Sequence, residues 1–183
     1  MVIGDGNMII QCTKKLADTM KKELQVCDGL EVNSFYAWHA NICQFGRTKY
    51  VLMMNNRTRY CIVLYGIKVA DLKKFDIIAK DAIEETFLAE GFEKGLVDQY
   101  MKRCEEVIYT KTHDRSVLGQ MKDFDISISW QIEDHLSNEQ LNMVELNKWI
   151  GHRLMCGGLN YAHPIDLLRE EMRKIEDDDR RED

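Results

Sequence analysis

A short segment, residues 111–116, carries two cations, two hydroxyl groups, an imidazole and a carboxylate. An apolar strand-like run precedes it and a helical pattern follows, so the segment is predicted to be a strand-to-helix turn. Free backbone N–H groups at a helix N-terminus favour a bound anion. Arg115 can hold a phosphate bidentately, and Thr112 and Ser116 can donate hydrogen bonds to it. We therefore predict an anion-binding site formed by Lys111, Thr112, Arg115 and Ser116.

A simpler interpretation of the same segment is a well-capped helix. The side chain of Asp114 or Thr112 would accept hydrogen bonds from the first free N–H groups of the helix. Lys111 and Arg115 would then be solvated or paired with acidic residues at 81–106. The segment lacks the glycines of a phosphate-binding loop, which excludes the usual nucleoside-triphosphatase signature. The sequence leaves both interpretations open.

Two further groups of residues carry potential chemistry. His39 and Asn41 alternate on a predicted strand, so their side chains point to the same face. Such a pair can act as a base and its orienting residue, or the two can satisfy each other near the core. Arg57 and Arg59 lie in a predicted hairpin beside aromatic residues. This mixture suits a nucleic-acid backbone but is also typical of exposed hairpins. All four residues are candidate ligand-binding residues.

The cysteines and the N-terminus indicate a reducing compartment. Six cysteines are spread along the chain without a CxxC pair, and most lie in apolar runs. Because the N-terminus lacks the pattern of a signal peptide, we expect a cytoplasmic protein whose cysteines are all thiols.

The histidines form neither HxxxH nor HExxH, so we expect no metal and no cofactor. No apolar run reaches the roughly 18 residues of a membrane span, so we expect no membrane partner.

Charge is unevenly distributed along the chain. The net charge is −6, and residues 176–183 alone hold six acids and two arginines. Because that segment has no apolar residue to bury, we predict a flexible acidic tail after a single domain at residues 1–175. Residues 47–74 contain seven cations and one acid, whereas residues 81–106 contain eight acids and three cations. This segregation suits either an anionic ligand or solvated faces on opposite sides of one fold.

Hydrophobic patterns predict an α+β fold. Apolar runs predict strands at 8–12, 37–45, 48–54, 58–65 and 105–111. Helical spacing predicts amphipathic helices at 14–24, 75–90, 93–104, 139–155 and 165–175. Short polar connections join the three central strands, which predicts an antiparallel β-meander covered by helices on both faces. Residues 124–132 fit both a helix and a strand, and we favour the helix because the preceding pattern leads straight into it.

The order of several short motifs resembles an uncharacterised bacterial family, described only as a domain of unknown function, that also occurs on mobile elements. The resemblance spans residues 8–168 and implies a compact intracellular α+β domain without implying any activity. The matching motifs are Cys12 to Leu16, Trp38 to Asn41, Asn56 with Thr58 to Tyr60, Lys111-Thr112, Arg115 to Gly119, and Leu159 with Tyr161 and Pro164.

These observations favour a protein that binds an anionic, phosphate-bearing partner such as a nucleotide or a nucleic acid. One alternative is an enzyme that acts on a phosphate-bearing substrate, with His39 or His113 as general acid or base. Another is a protein–protein adaptor or a regulator of a mobile element, in which these side chains are only structural. Convergence of the candidate residues in one pocket would favour the binding or enzymatic hypothesis.

Overall fold

The computed structural model describes residues 6–26, 33–137, 142–154, 156 and 159–182 of the chain. Five strands lie at Asn7–Cys12 (β1), Ala37–Phe45 (β2), Thr48–Asn55 (β3), Cys61–Tyr65 (β4) and Glu106–Lys111 (β5). Six α-helices lie at Lys14–Met20 (α1), Phe75–Ala89 (α2), Lys94–Lys102 (α3), Arg115–Ser137 (α4), Met143–Arg153 (α5) and Pro164–Glu182 (α6). The predicted α+β fold is confirmed.

The strands form one mixed sheet in the order β4-β3-β2-β1-β5. Strands β2, β3 and β4 pair antiparallel, as the short polar connections predict. Strand β1 pairs in parallel with both β2 and β5. This parallel pairing places Gln11 between His39 and Thr110 on the sheet.

Helices cover both faces of the sheet, as the near-continuous apolar strands predict. On one face, α1, α2, α3 and α6 bury a core that includes Trp38, Tyr60, Phe75 and Phe87. On the other face, α4 and α5 pack against Leu52, Met54 and neighbouring strand residues. Residues along α4 are buried at helical spacing, so residues 124–132 form a helix as predicted.

The ends of several elements differ from the predicted bounds. Helix α1 ends at Met20 instead of residue 24, because Lys21 adopts a left-handed backbone conformation. Strand β4 begins at Cys61 instead of residue 58, because residues 56–60 form a turn. Helix α5 begins at Met143, and the residues before Asn142 that were predicted to be helical lie outside the described residues. Helix α6 begins at the only proline, a favoured first helical residue, and continues past Ile175 to Glu182. The flexibility of the acidic tail stays a prediction.

All the cysteines that the structure describes are unpaired and buried. They are Cys12, Cys43, Cys61, Cys104 and Cys156. Burial raises the pKa of the Cys12 thiol to about 12, which keeps it protonated and unreactive. The sixth cysteine, Cys27, lies outside the described residues, so its predicted thiol state stays a prediction.

Candidate functional site

Residues 111–114 join β5 to α4, and their side chains take part in two separate features, an exposed groove and a largely buried polar cluster. Lys111 and Thr112 line a groove beside α1. His113 and Asp114 belong to a cluster of polar side chains on the face of the sheet that α4 covers. The segment predicted as a single anion site therefore borders two candidate sites.

The first feature is the lysine groove, a cavity of about 530 Å³ at the carboxyl ends of β1 and β5. Its walls are Cys12, Lys14, Ala17, Asp18, Lys22, Leu24, Lys111 and Thr112. The two parallel strands reach the groove in register, with Cys12 opposite Lys111. In open sheets that contain parallel strands, ligands commonly bind beyond the carboxyl ends of those strands.

The groove is electropositive because three lysines and one aspartate line it. The Nζ atom of Lys22 lies 4.2 Å from the centroid of the Tyr109 ring, a cation–π contact that orients the ammonium group. Lys14 and Lys111 are exposed. The groove therefore offers an accessible positive surface of the size of a small ligand.

The second feature is the polar cluster, a group of side chains from three strand ends and the start of α4. Its members are Gln11, His39, Asn56, Arg59, His113 and Asp114. His39 Nδ1 lies 2.6 Å from Asn56 Oδ1, and Asn56 Nδ2 donates to Gln11 Oε1 at 2.7 Å. Gln11 Nε2 lies 2.9 Å from His113 Nδ1, so a continuous chain of hydrogen bonds joins the two histidines.

The turn between β3 and β4 delivers Arg59 to the polar cluster. The buried Asn55 side chain accepts hydrogen bonds from the backbone N–H groups of Arg57 and Thr58, both at 3.0 Å. Arg59 adopts a left-handed backbone conformation, with φ of 59°, which few non-glycine residues adopt. Its guanidinium Nη1 donates to the backbone carbonyl of Asn56. The turn thus directs a cation inward instead of exposing it.

Asp114 links the cluster to α4 as an N-cap. Its Oδ1 atom accepts from the backbone N–H groups of Ser116 at 2.8 Å and Val117 at 3.2 Å. Its Oδ2 atom lies 4.0 Å from Arg59 Nη2. Burial opposes ionisation of Asp114, but the two N–H groups and Arg59 outweigh it and lower the pKa. The Asp114 carboxylate therefore occupies the N-terminus of α4, the position at which an anion was predicted to bind.

Two buried atoms of the cluster, His39 Nε2 and Arg59 Nε, have no hydrogen-bond partner among the residues that the structure describes. The His39 residue is 0% exposed and Arg59 is 8% exposed. Burial lowers the pKa of both groups, so the His39 imidazole is held neutral. Most buried polar groups in proteins are hydrogen bonded, and these two exceptions make the cluster a candidate ligand-binding site.

The remaining predicted site residues lie elsewhere. Asn41 shares a sheet face with His39, but its side chain accepts from Thr13 Oγ1 at 2.8 Å. Arg57 bonds to Glu171 on α6 at 3.0 Å. Arg115 and Ser116 are exposed in the first turn of α4. The structure brings together His39 with Arg59, and Lys111 with Thr112.

Residues of the two features that the sequence patterns did not reveal include Gln11, Asn56, Lys14 and Lys22. Gln11 meets His39 only through parallel pairing of β1 with β2, which no local pattern specifies. Asn56 was grouped with an ordinary hairpin. The run of lysines at 14, 15, 21 and 22 around a short helix was the available signal for the groove.

The described part of the chain contains neither a metal-binding group nor a membrane-spanning helix. Within residues 6–26, 33–137, 142–154, 156 and 159–182, the His, Cys, Asp and Glu side chains form no group of three that could hold a metal ion. Over those same residues, every helix is too short or too polar to cross a membrane.

The fold and the two features define a single-domain α+β protein with an electropositive groove beside a buried polar cluster. The chain belongs to the family Domain of unknown function (DUF6933), whose model matches residues 9–167. This confirms the resemblance to an uncharacterised family; a bacterial or mobile-element origin stays a prediction. No curated protein and no solved structure gives a significant match to the chain.

Proposed function

We propose that the protein binds a phosphate-bearing anion, such as a nucleotide or a nucleic-acid end, in the lysine groove. The observation that carries this proposal is the charge of the cavity, in which Lys14, Lys22 and Lys111 face a single acid, Asp18. A cavity of about 530 Å³ lies within the size range of small-molecule sites. Opposite charge on the ligand would offset the mutual repulsion of the three ammonium groups.

Particular residues of the groove have distinct roles in this proposal. All three lysines are exposed. Lys22 is oriented by its contact with Tyr109 and supplies a positioned cation, whereas Lys14 and Lys111 adapt to the ligand. Thr112 offers a hydroxyl donor at the edge of the groove. Arg115 and Ser116 are exposed three and four residues beyond Thr112, where Arg115 adds a cation and Ser116 a hydroxyl donor for a longer ligand.

Thermal unfolding with added ligands tests the proposal. A ligand that binds only the folded state raises the melting temperature with concentration. The probes are inorganic phosphate, a set of nucleotides, and short single-stranded DNA and RNA. We expect at least one phosphate-bearing probe to raise the melting temperature, and added salt to weaken the effect. A nucleotide effect without an oligonucleotide effect would identify a small-molecule site, and the reverse would identify a nucleic-acid site.

Charge reversal provides the matched control. The double variant Lys22→Glu, Lys111→Glu should lose the ligand response, because two of the three groove cations become anions. Lys102→Glu should keep the response, because Lys102 is an exposed lysine of α3 outside the groove. Equal responses of the two variants, or no response of the wild type to any probe, would contradict the proposal.

A further inference from the structure

The hydrogen-bond directions within the polar cluster fix the protonation of His39. Because Asn56 donates through Nδ2 to Gln11 Oε1, its Oδ1 atom is the acceptor that faces His39 Nδ1 at 2.6 Å. The proton of the neutral imidazole therefore lies on Nδ1, and Nε2 presents a lone pair. That lone pair is buried and accepts no hydrogen bond.

Arg59 contributes a buried cation without a close counter-ion. Among the described residues the nearest ion-pair partner is Asp114, whose Oδ2 atom lies 4.0 Å from Nη2, and the other Asp114 oxygen is committed to the first N–H groups of α4. Buried charges in proteins are normally paired at hydrogen-bond distance. The buried Nε–H group of Arg59 also has no acceptor among the described residues. The cluster thus lacks an anion that accepts from Arg59.

We infer that the polar cluster binds an oxyanion that retains one proton, of the phosphate or phosphate-monoester class. An unprotonated oxygen of the anion accepts from Arg59 Nε–H, and its P–OH group donates to His39 Nε2. Both unused atoms are then satisfied, and the charge of Arg59 is compensated. This inference is independent of the lysine groove, because it depends on different side chains and on unpaired buried atoms.

In this proposal the anion enters on the side of His113. The His113 side chain is exposed, and its Nδ1 atom lies 2.9 Å from Gln11 Nε2. Its ring centroid lies 6.2 Å from that of His39. Outward rotation of His113 would break its hydrogen bond to Gln11 and open the cluster on that side, while Gln11 and Asn56 keep their mutual bond.

A comparison of phosphate with sulfate tests the inference on the full chain. The two ions have the same tetrahedral shape, but below neutral pH phosphate carries P–OH groups and sulfate carries no proton. Because a hydrogen bond to a buried partner is lost with sulfate, we expect sulfate to bind roughly tenfold or more weakly than phosphate. The readout is the ¹⁵N NMR signals of the histidine rings, in which His39 reports on its own site.

The Lys22→Glu, Lys111→Glu double variant separates the two sites, since it should retain the His39 response to phosphate.

The Asn56→Asp variant gives a second test. A carboxylate beside Nδ1 favours the imidazolium form of His39, which turns Nε2 into a donor. The preference for phosphate over sulfate should then fall or reverse.

Two results overturn the inference. One is equal binding of phosphate and sulfate to the wild type. The other is a His39 ¹⁵N spectrum that shows the Nδ1–H form and does not change with phosphate, which would mean that an ordered water alone fills the cluster. Neither result depends on a variant folding correctly.

Discussion

Asn56 holds the His39 ring in a single orientation and a single tautomer, with its Oδ1 atom 2.6 Å from His39 Nδ1. Because Asn56 is itself fixed by Gln11 at 2.7 Å, the relationship extends across three adjacent strands. An Asn or carboxylate beside Nδ1 is the usual device for orienting a histidine whose Nε2 atom binds or exchanges protons. The predicted partner Asn41 bonds instead to Thr13, and its role in ligand binding stays a prediction.

The pH dependence of stability should report on His39. Burial lowers its pKa from the ordinary value of 6.5, so below that pH the unfolded chain binds a proton that the folded protein resists. The free energy of unfolding should therefore fall as the pH drops below 6.5, because the unfolded state binds more protons. Urea unfolding at a series of pH values measures this slope.

His39→Gln is the control for the pH experiment, because glutamine does not titrate. The variant should show a shallower loss of stability than the wild type over the interval just below the ordinary histidine pKa. Identical slopes for the wild type and His39→Gln would show that His39 is not held neutral by the fold.

The two interpretations of residues 124–132 show how far periodicity can decide a structure. Helical spacing selects Phe124, Ile128 and Ile132, all buried, whereas strand alternation also requires Ile126 and Trp130 to face the core. Those two residues are 56% and 72% exposed. The longer run of buried positions from Val117 onward determined the outcome, because a helix buries residues at a spacing of three to four.

The candidate sites were harder to predict because they depend on pairing between distant parts of the chain. The local signals correctly identified the 111–116 turn and placed Asp114 as a possible cap, which the structure confirms. They could not reveal that β1 lies between β2 and β5 in parallel. That arrangement alone brings Gln11 to His39 and places Lys22 and Lys111 around one groove.

The cap of α4 gives a second prediction. Asp114→Ala should lower the free energy of unfolding by about 1 kcal/mol, because it removes the acceptor for two backbone N–H groups. Arg115→Ala should change it by less than about 0.5 kcal/mol, as expected for a surface substitution, since Arg115 is exposed and makes no hydrogen bond or ion pair within the described residues. Urea unfolding measures both. A strong loss with Arg115→Ala would instead make Arg115 a structural partner.

The cysteines give a third prediction, on reactivity. All the described thiols are buried, and burial raises the pKa of Cys12, Cys43 and Cys104 to about 12. Alkylation of the native protein should be slow at these thiols because little thiolate forms. Mass spectrometry of the unfolded chain, alkylated without reductant, should find all six cysteines modified. A mass with fixed disulfide bridges would contradict the predicted reducing compartment.

Helix α5 approaches the ring of Tyr60 so closely at Gly151 that only glycine fits. A Cβ atom at this position would lie 2.5 Å from Cε2 of Tyr60. The Tyr60 ring cannot move aside easily, because it is fully buried and its hydroxyl donates to Glu90 Oε1 at 2.5 Å. Glu90 in turn bonds to His152 at 2.7 Å through its other oxygen, so a shift of Tyr60 would disturb a second contact of α5.

Gly151→Ala should therefore destabilise the protein by about 1–3 kcal/mol, the usual cost of overpacking a core. Gly119→Ala is the matched control, because Gly119 is also a helical glycine but has open space where the Cβ atom would lie. Alanine at that position should stabilise α4 by roughly 0.5–1 kcal/mol through helix propensity.

Urea unfolding of both variants, and of Gly151→Ala combined with Tyr60→Leu, separates the steric effect from helix propensity. Because the smaller leucine removes the clash, the double variant should lose less stability than the two single losses added together. Additive losses would mean that Gly151 is required for a reason other than its contact with Tyr60.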